Sequence, residues 1–562
     1  MKLVIYQVFT RTFGNKNTNN QPNGTIADNG VGKMSDFNKT TLQQIKKLGA
    51  NTIWYTGIIR HATCTDYSAF GIPRQTPRVV KGKAGSPYAI TDYYDVDPDI
   101  ADNVTKRMNE FEDLVKRTHN EGLKVIIDFV PNHVAREYKS ICKPNGVKDL
   151  GETDDKNKHF DANNNFYYCP NEPLDTSAIP RSINNEATKP DYKSAEYTET
   201  VARCTGNDRF DAHPQANDWY ETIKLNYGID YCDWGGRSNH FNPIPDTWHK
   251  MTDILLFWAA KGIDGFRCDM AEMVPHEFWK YATEKVKAQY PHIVFIGEVY
   301  DPNQYRTYIA AGFDYLYDKV GMYDCLRDVM CEHRSANDIT RQWQATDDIS
   351  KHVLYFLENH DEQRIASNFF CGNMQKGIPA LIVAALFQCN PIMIYAGQEF
   401  GEKGMDGEGF SGIDGRSTIF DYWSIDAIRK GFFERSKLSA EQVQLEKEYR
   451  KILTLCNSEK AISNGKTFDL MYANETNDAF DSNKQFAFLR SSNNTTLLIV
   501  ANFSKTEAHI RVNIPAHAFD YMEIKEGKKN MVDLLSGNHQ SVVLQKDRSE
   551  ERRVGKECAS MC

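Results

Sequence analysis

The sequence predicts an α/β chain: a (β/α)8 TIM barrel with an inserted domain after the third strand and a C-terminal antiparallel β-sandwich. Three observations predict it. Short apolar runs that end on charge alternate with amphipathic helical stretches eight times, the pattern of a parallel barrel buried on both faces. A polar stretch over residues 134–240 interrupts that alternation after the third run. Beyond about residue 440 the spacing switches to short apolar runs separated by Asn and Ser turns, as in a sandwich.

The elements follow in order. Residues 3–9 form the first strand, and an Asn/Gly-rich loop runs from Asn15 to Gly32. Phe37, Leu42, Ile45 and Leu48 repeat at helical spacing over 36–48, and Gly49 closes that helix. The second strand is 51–56. A helix over 105–121 leads through Gly122 into the third strand, 123–128. Residues 134–240 are rich in Asn, Asp, Pro, Lys and Tyr, and so long an irregular stretch inside a compact domain reads as an insertion. Helix resumes at 246–261, followed by strand 263–268, helix 276–289 and strand 293–297. A weak sixth strand is placed at 313–316, the seventh at 353–357 and the eighth at 392–395. Residues 485–489, 496–501 and 509–512 read as sandwich strands. The expected organisation is therefore barrel at 1–133, insertion at 134–240, barrel again at 241–440 and sandwich at 441–546. The charge-dense segment 547–562 has no strand pattern and reads as a non-native tail.

Composition narrows the function. A formal net charge of −9 argues against nucleic acid or an anionic membrane surface as the main partner. No apolar run is long enough for a membrane span. The 13 Cys are scattered without C-x-x-C pairs, which argues against a zinc site or a disulfide framework. Residues 1–9 read as a strand and not a secretion signal, so a cytoplasmic location is expected unless an upstream signal is missing. The 28 Tyr and 8 Trp serve either core packing or the stacking of sugar rings, and composition does not separate the two.

Catalytic residues of a (β/α)8 barrel lie at the carboxyl ends of its strands. Here the strand ends carry Asp128, Asn132 and His133 after strand three, Arg267 and Asp269 after strand four, and Glu298 after strand five. Glu358, Asn359, His360 and Asp361 follow strand seven. Carboxylates gathered at one mouth are what glycoside hydrolysis requires. No Gly-rich phosphate loop follows the last strands, which excludes the common phosphate chemistry of this fold.

Four stretches, Asp128-Phe-Val-Pro-Asn132-His133, Gly265-Phe-Arg267-Cys-Asp269, Gly297-Glu298-Val and Glu358-Asn359-His360-Asp361, resemble in order the signature motifs of the α-amylase family of retaining α-glucan-active enzymes. Lys224-Leu225-Asn226 is similar to that family's short motif near the end of its inserted domain, and Gly397-Gln398-Glu399 to its strand-eight motif. The resemblance implies Asp269 as nucleophile, Glu298 as acid/base and Asp361 as the third carboxylate gripping sugar hydroxyls. It implies His133 and His360 as hydrogen-bond partners of the sugar and Tyr88 as a stacking platform. Arg267 lies two residues before Asp269, on the same side of the strand, and is expected to keep it ionised. Glu298 must stay protonated, so less polar surroundings are expected for it.

The implied activity is cleavage of α-1,4 bonds in starch-like glucans or maltodextrins. The alternatives are a neopullulanase- or glucosidase-like enzyme or a transglycosylase acting on short oligosaccharides, and, from a different class, an inactive binding subunit. The presence of all three carboxylates speaks against the last. The chain departs from the family pattern after the nucleophile, where Met270-Ala271-Glu272-Met273-Val274 replaces the usual Lys-His-containing stretch. Glu272 is expected to rebuild the leaving-group side. Calcium is the one cofactor expected, at Asn132 and Asn226, and the loop ending in Asn29-Gly30-Val31-Gly32 is a second candidate cation site.

Overall fold

The structure, a computed structural model, describes residues 1–179, 197–493 and 495–546. The segment 547–562, read as a non-native tail, lies outside the described residues. Eight parallel strands close into a barrel in sequence order: β1 Val4–Phe9, β2 Thr52–Thr56, β3 Lys124–Phe129, β4 Gly265–Cys268, β5 Val294–Gly297, β6 Tyr315–Tyr317, β7 Val353–Phe356 and β8 Ile392–Tyr395. β1 pairs with both β2 and β8, which seals the ring. Every expected barrel strand is present, and only the sixth is displaced. Phe313 and Asp314 precede it, because the Asp314 carboxylate accepts the Phe295 N–H and so caps the strand entrance.

Alternate residues point into the barrel. Ile5, Trp54, Ile126, Ile296, Leu354 and Met393 fill its lower interior. The opposite faces pack against the helices, as where Trp258 meets Phe111 with ring centroids 5.3 Å apart. Each such side chain contributes about 1.5–3 kcal/mol of burial.

The register sets the height of the site. Arg267 pairs with Asp128 on one side and Ile296 on the other, and Cys268 pairs with Gly297. Asp269 and Glu298 therefore emerge from neighbouring strands at the same level. Gly297 is required there, since a Cβ would stand 2.8–2.9 Å from Leu316 and Phe313.

The inserted region opens on an antiparallel pair, His133–Ala135 with Thr222–Lys224 from its later part, in which His133 lies opposite Lys224. Among the described residues, its other ladders are two residues long, Tyr168–Cys169 with Ala202–Arg203 and Ile229–Asp230 with Ser238–Asn239.

At the C-terminal end, helix Ala440–Ser458 opens on a capping box between Ser439 and Gln442 and packs on helices Gly377–Leu386 and Lys39–Leu48. It belongs to the helical ring of the barrel, so the boundary expected at 440/441 falls at the start of a barrel helix. Antiparallel strands follow as Lys466–Asp469, Gln485–Ser492 and Thr495–Asn502, with a separate hairpin of Gly527–Val532 and His539–Leu544. The strand expected at 509–512 does not form. Asn477 donates to the Arg511 carbonyl, and Asn474 bonds both the N–H and the C=O of Asn513. Side chains thus take the Arg511 carbonyl and both Asn513 backbone groups, while the Arg511 N–H bonds the Ala479 carbonyl of an irregular loop. Among the described residues no helix is long and apolar enough to cross a membrane.

Candidate active site

Arg267 is the hub of the barrel mouth. It is fully buried, with Nη1 2.8 Å from Asp269 Oδ1 and Nη2 2.8 Å from Glu298 Oε2. One guanidinium fork holds the two carboxylates delivered by β4 and β5. Its plane lies near the rings of Trp54, Tyr88 and Tyr317, at 5.2–5.5 Å from their centroids. This is the planar, stacked use for which Arg is suited and Lys is not.

Burial pushes the Asp269 carboxyl well above the ordinary range. Arg267 opposes that rise, while Glu298 and Asp361 add to it. Arg267, expected to keep Asp269 ionised, does favour the charged form, but burial together with Glu298 and Asp361 moves the carboxyl the other way. Glu298 also departs from expectation, because its surroundings are polar. Oε1 accepts a 2.6 Å hydrogen bond from the Tyr300 hydroxyl, and Oε2 accepts the Met270 N–H at 2.8 Å besides meeting Arg267. Met270 reaches this position with a φ of 41°, left-handed backbone uncommon for a residue with a side chain.

The third carboxylate stands on the rim. Asp361 Oδ2 is 2.9 Å from His360 Nε2, and its side chain is 41% exposed to the cleft. Burial works against its charge, but His360, then Arg267 and Arg416, favour it, and the net effect holds Asp361 below the usual carboxylate range. Gln7 Nε2 lies 2.8 Å from His360 Nδ1. With Gln7 donating, the ring proton sits on Nε2, facing Asp361 and the Tyr88 hydroxyl 2.5 Å away.

Tyr88 stacks on His360 with centroids 5.2 Å apart and 25° between planes. The His133 ring bonds the Tyr88 backbone and lies 5.2 Å from Trp219. Burial, then Lys224 and Lys81, hold His133 at about 3, so it is neutral near pH 7.

All seven candidate residues, Tyr88, His133, Arg267, Asp269, Glu298, His360 and Asp361, thus fall in one continuous cluster. Glu358 does not join it: Arg364 and the Ile365 N–H hold its carboxylate behind β7. Glu399 is likewise turned inward, accepting from Tyr6 at 2.6 Å. Residues that sequence reading left out are Gln7, Trp54, Tyr300 and Tyr317. Gln7 carried a signal, being a polar residue at an inward position of an apolar strand. Glu272, expected to rebuild the leaving-group side, is engaged through one carboxylate oxygen by the loop after β5. Its Oε2 accepts the N–H groups of Tyr300 at 2.8 Å and Asp301 at 3.0 Å, which ties down the loop after β5.

The calcium expectation meets a different arrangement. Asn226 uses its side chain on the Asp161 carbonyl and the Gly228 N–H. Asn132 Oδ1 accepts from Lys224 Nζ. In the first loop, Asn29 Oδ1 accepts the Gln21 N–H and Asn15 Oδ1 the Asn17 N–H, so these oxygens serve the backbone. Among the described residues, Asp92, Asp95 and Cys142 stand close enough to share an ion. Arg60 and Arg107 already neutralise those two carboxylates, at 3.2–3.4 Å and 2.6 Å.

A closed barrel with three carboxylates, two histidines and a bridging arginine at its mouth defines a carbohydrate-cleaving barrel enzyme. The family model for the alpha amylase catalytic domain matches residues 7–200 and 242–507, and that for the alpha amylase C-terminal all-beta domain matches 477–556. The chain belongs to the alpha-amylase family of glycoside hydrolases. Among its relatives, alpha-amylase 3 of Dictyoglomus thermophilum is 22% identical, the match covering 96% of this chain and 92% of that one. A cyclomaltodextrinase of Thermoanaerobacter pseudethanolicus is 22% identical over 94% of this chain and 74% of its own. The fold is shared with a maltogenic alpha-amylase of Thermotoga neapolitana, with a TM-score of 0.60, 20% identity and coverage of 99% and 96%. An alpha-amylase of Geobacillus thermoleovorans, solved with acarbose, has a TM-score of 0.59 at 20% identity and coverage of 96% and 93%.

Proposed function

We propose that this enzyme hydrolyses α-1,4-glucosidic bonds of starch-like glucans or maltodextrins with retention, through a covalent intermediate on Asp269. The observation that carries this reading is the single Arg267 fork holding Asp269 and Glu298 together at one level of the barrel mouth. Retention needs two carboxyls about 5–5.5 Å apart, so that one attacks while the other serves the leaving oxygen.

Asp269 Oδ attacks the anomeric carbon as Glu298 gives its proton to the glycosidic oxygen, and the C–O bond to the leaving sugar breaks. Glu298, now ionised, takes a proton from water, whose oxygen displaces Asp269 and restores both groups. Positive charge on the sugar ring in the transition state favours the ionised Asp269 that burial disfavours. Asp361, ionised on the rim, grips sugar hydroxyls and adds to that stabilisation. His133 and His360, both anchored, offer N–H or lone-pair contacts to the same sugar. The Tyr300 hydroxyl and the Met270 N–H orient the Glu298 carboxyl for its two proton transfers.

A second reading, action on short or cyclic α-gluco-oligosaccharides, is favoured by Lys224-Leu225-Asn226 and by relatives named cyclomaltodextrinase and neopullulanase. Chain-length analysis of products from starch, maltotriose and pullulan separates the two. For the mechanism, Glu298→Gln should lower kcat on maltoheptaose by about 10²–10⁴-fold, and Asp269→Asn should abolish turnover. NMR of the first product should show the α-anomer. Initial release of the β-anomer, or turnover by Asp269→Asn, would refute the assignment.

A further inference from the structure

The site where calcium was expected holds a side-chain cation. Lys224 is 2% exposed, and its Nζ donates to Asn132 Oδ1 and to the Met273 carbonyl at 3.2 Å, and pairs with Asp208 Oδ1 at 2.6 Å. These acceptors come from three places: the loop after β3, the middle of the inserted region, and the turn four residues past Asp269. An ammonium has three N–H groups and here meets three oxygens. We propose that the Lys224 ammonium is the built-in cation that clamps the inserted region to the barrel, and that the fold is accordingly independent of calcium.

Two features support it. A calcium ion needs six to eight oxygens at 2.3–2.6 Å, and one placed among these three would sit against a buried positive charge. Asn226, the second expected ligand, is turned to backbone groups elsewhere. The surroundings are also built to receive a fixed cation. Asp208 is held with a φ of 60°, and Asn132 Nδ2 donates to the Gly206 carbonyl at 2.7 Å, so the insert is drawn to the same point from both sides of the lysine. Because Lys224 lies opposite His133 in the pair on which the insert opens, the clamp acts where the inserted region joins the site.

The inference does not rest on the catalytic assignments, and its test needs no activity. Purified protein is dialysed against EGTA, analysed for bound metal by mass spectrometry, and melted with and without 5 mM calcium. The expected result is less than about 0.1 calcium per chain and a Tm that calcium moves by under about 1 °C, since a ligand that does not bind the native state shifts nothing. Lys224→Met leaves Asp208 and Asn132 without their partner. Its Tm should fall by roughly 5 °C or more, and cleavage by chymotrypsin within 134–240 should speed up about tenfold or more under native conditions. Stoichiometric calcium in the wild type, a Tm that drops on chelation, or a Lys224→Met protein with unchanged melting and proteolysis would each overturn the proposal. The wild-type arm can overturn the proposal even if the variant fails to fold.

Discussion

Arg267→Lys is the sharpest probe of the site, because it keeps the charge and removes the fork. The guanidinium makes two 2.8 Å contacts, one to Asp269 and one to Glu298, and lies near three aromatic rings. A lysine ammonium, on a stem of different shape, reaches one carboxylate but not both in this geometry. Losing one charge-assisted hydrogen bond costs about 1.5–3 kcal/mol, which corresponds to a fall in kcat/KM of about 10–150-fold. The pH dependence gives a second readout. Arg267 is the main influence that opposes the upward push of burial on Asp269, so weakening it moves that carboxyl further up. The nucleophile must be ionised in the free enzyme, hence the acid limb of kcat/KM should shift to higher pH. The assay is kcat/KM for a 4-nitrophenyl α-maltoside across pH 4–8, with circular dichroism to confirm folding. A folded Arg267→Lys enzyme whose acid limb stays in place, at near wild-type activity, would refute the role given to the fork.

Two other perturbations follow from the same geometry. Tyr300→Phe removes the 2.6 Å bond to Glu298 Oε1 and should lower kcat by about 10-fold or more with KM little changed; equal kcat in steady-state assays would make Tyr300 a packing residue only. Asp269→Asn should melt higher than wild type at pH 7, because the raised carboxyl of the folded state makes its ionised form destabilising there. Each unit by which folding raises that carboxyl corresponds to about 1.4 kcal/mol. The advantage should shrink as pH falls through the folded value and vanish below the unfolded one, where wild-type Asp269 is also neutral. Calorimetry that finds a constant difference from pH 3 to 7 would contradict the buried-charge argument.

The barrel was legible because its strands are buried on both faces, so each appears as an unbroken apolar run whose end is marked by charge. β6 was harder: only three residues pair, and Phe313-Asp314 before them looks equally strand-like until Asp314 is seen capping Phe295. The failed strand at 509–512 has the right residues, and Ile510 and Val512 are indeed buried. Its Arg511 backbone, however, is bonded by the Asn477 side chain and the Ala479 carbonyl, which no local pattern reveals. The seven candidate residues were found because they lie at strand ends or in recognisable motifs. Lys224 stood in plain view in a short motif, yet its role depends on residues 92 and 49 positions away. A lysine in a polar stretch looks like a solvated charge until the fold buries it.

The polarity around Glu298 is hidden in the sequence for a related reason: its donors come from Met270, Arg267 and Tyr300, and only the fold brings them to one carboxyl. That changes the meaning of the segment after the nucleophile. Met270 donates to Glu298, Glu272 holds the backbone of Tyr300 and Asp301, and the Met273 carbonyl receives Lys224. Through Tyr300, Glu272 gives the segment a second link to the acid/base. Five residues thus connect the nucleophile strand to the acid/base, to the loop after β5 and to the inserted region. A substitution here acts on how firmly Glu298 is held before it acts on any sugar. The departure of 270–274 from the family pattern is therefore better understood as a different way of supporting the catalytic pair, with a lysine ammonium and a glutamate cap as its fixed points.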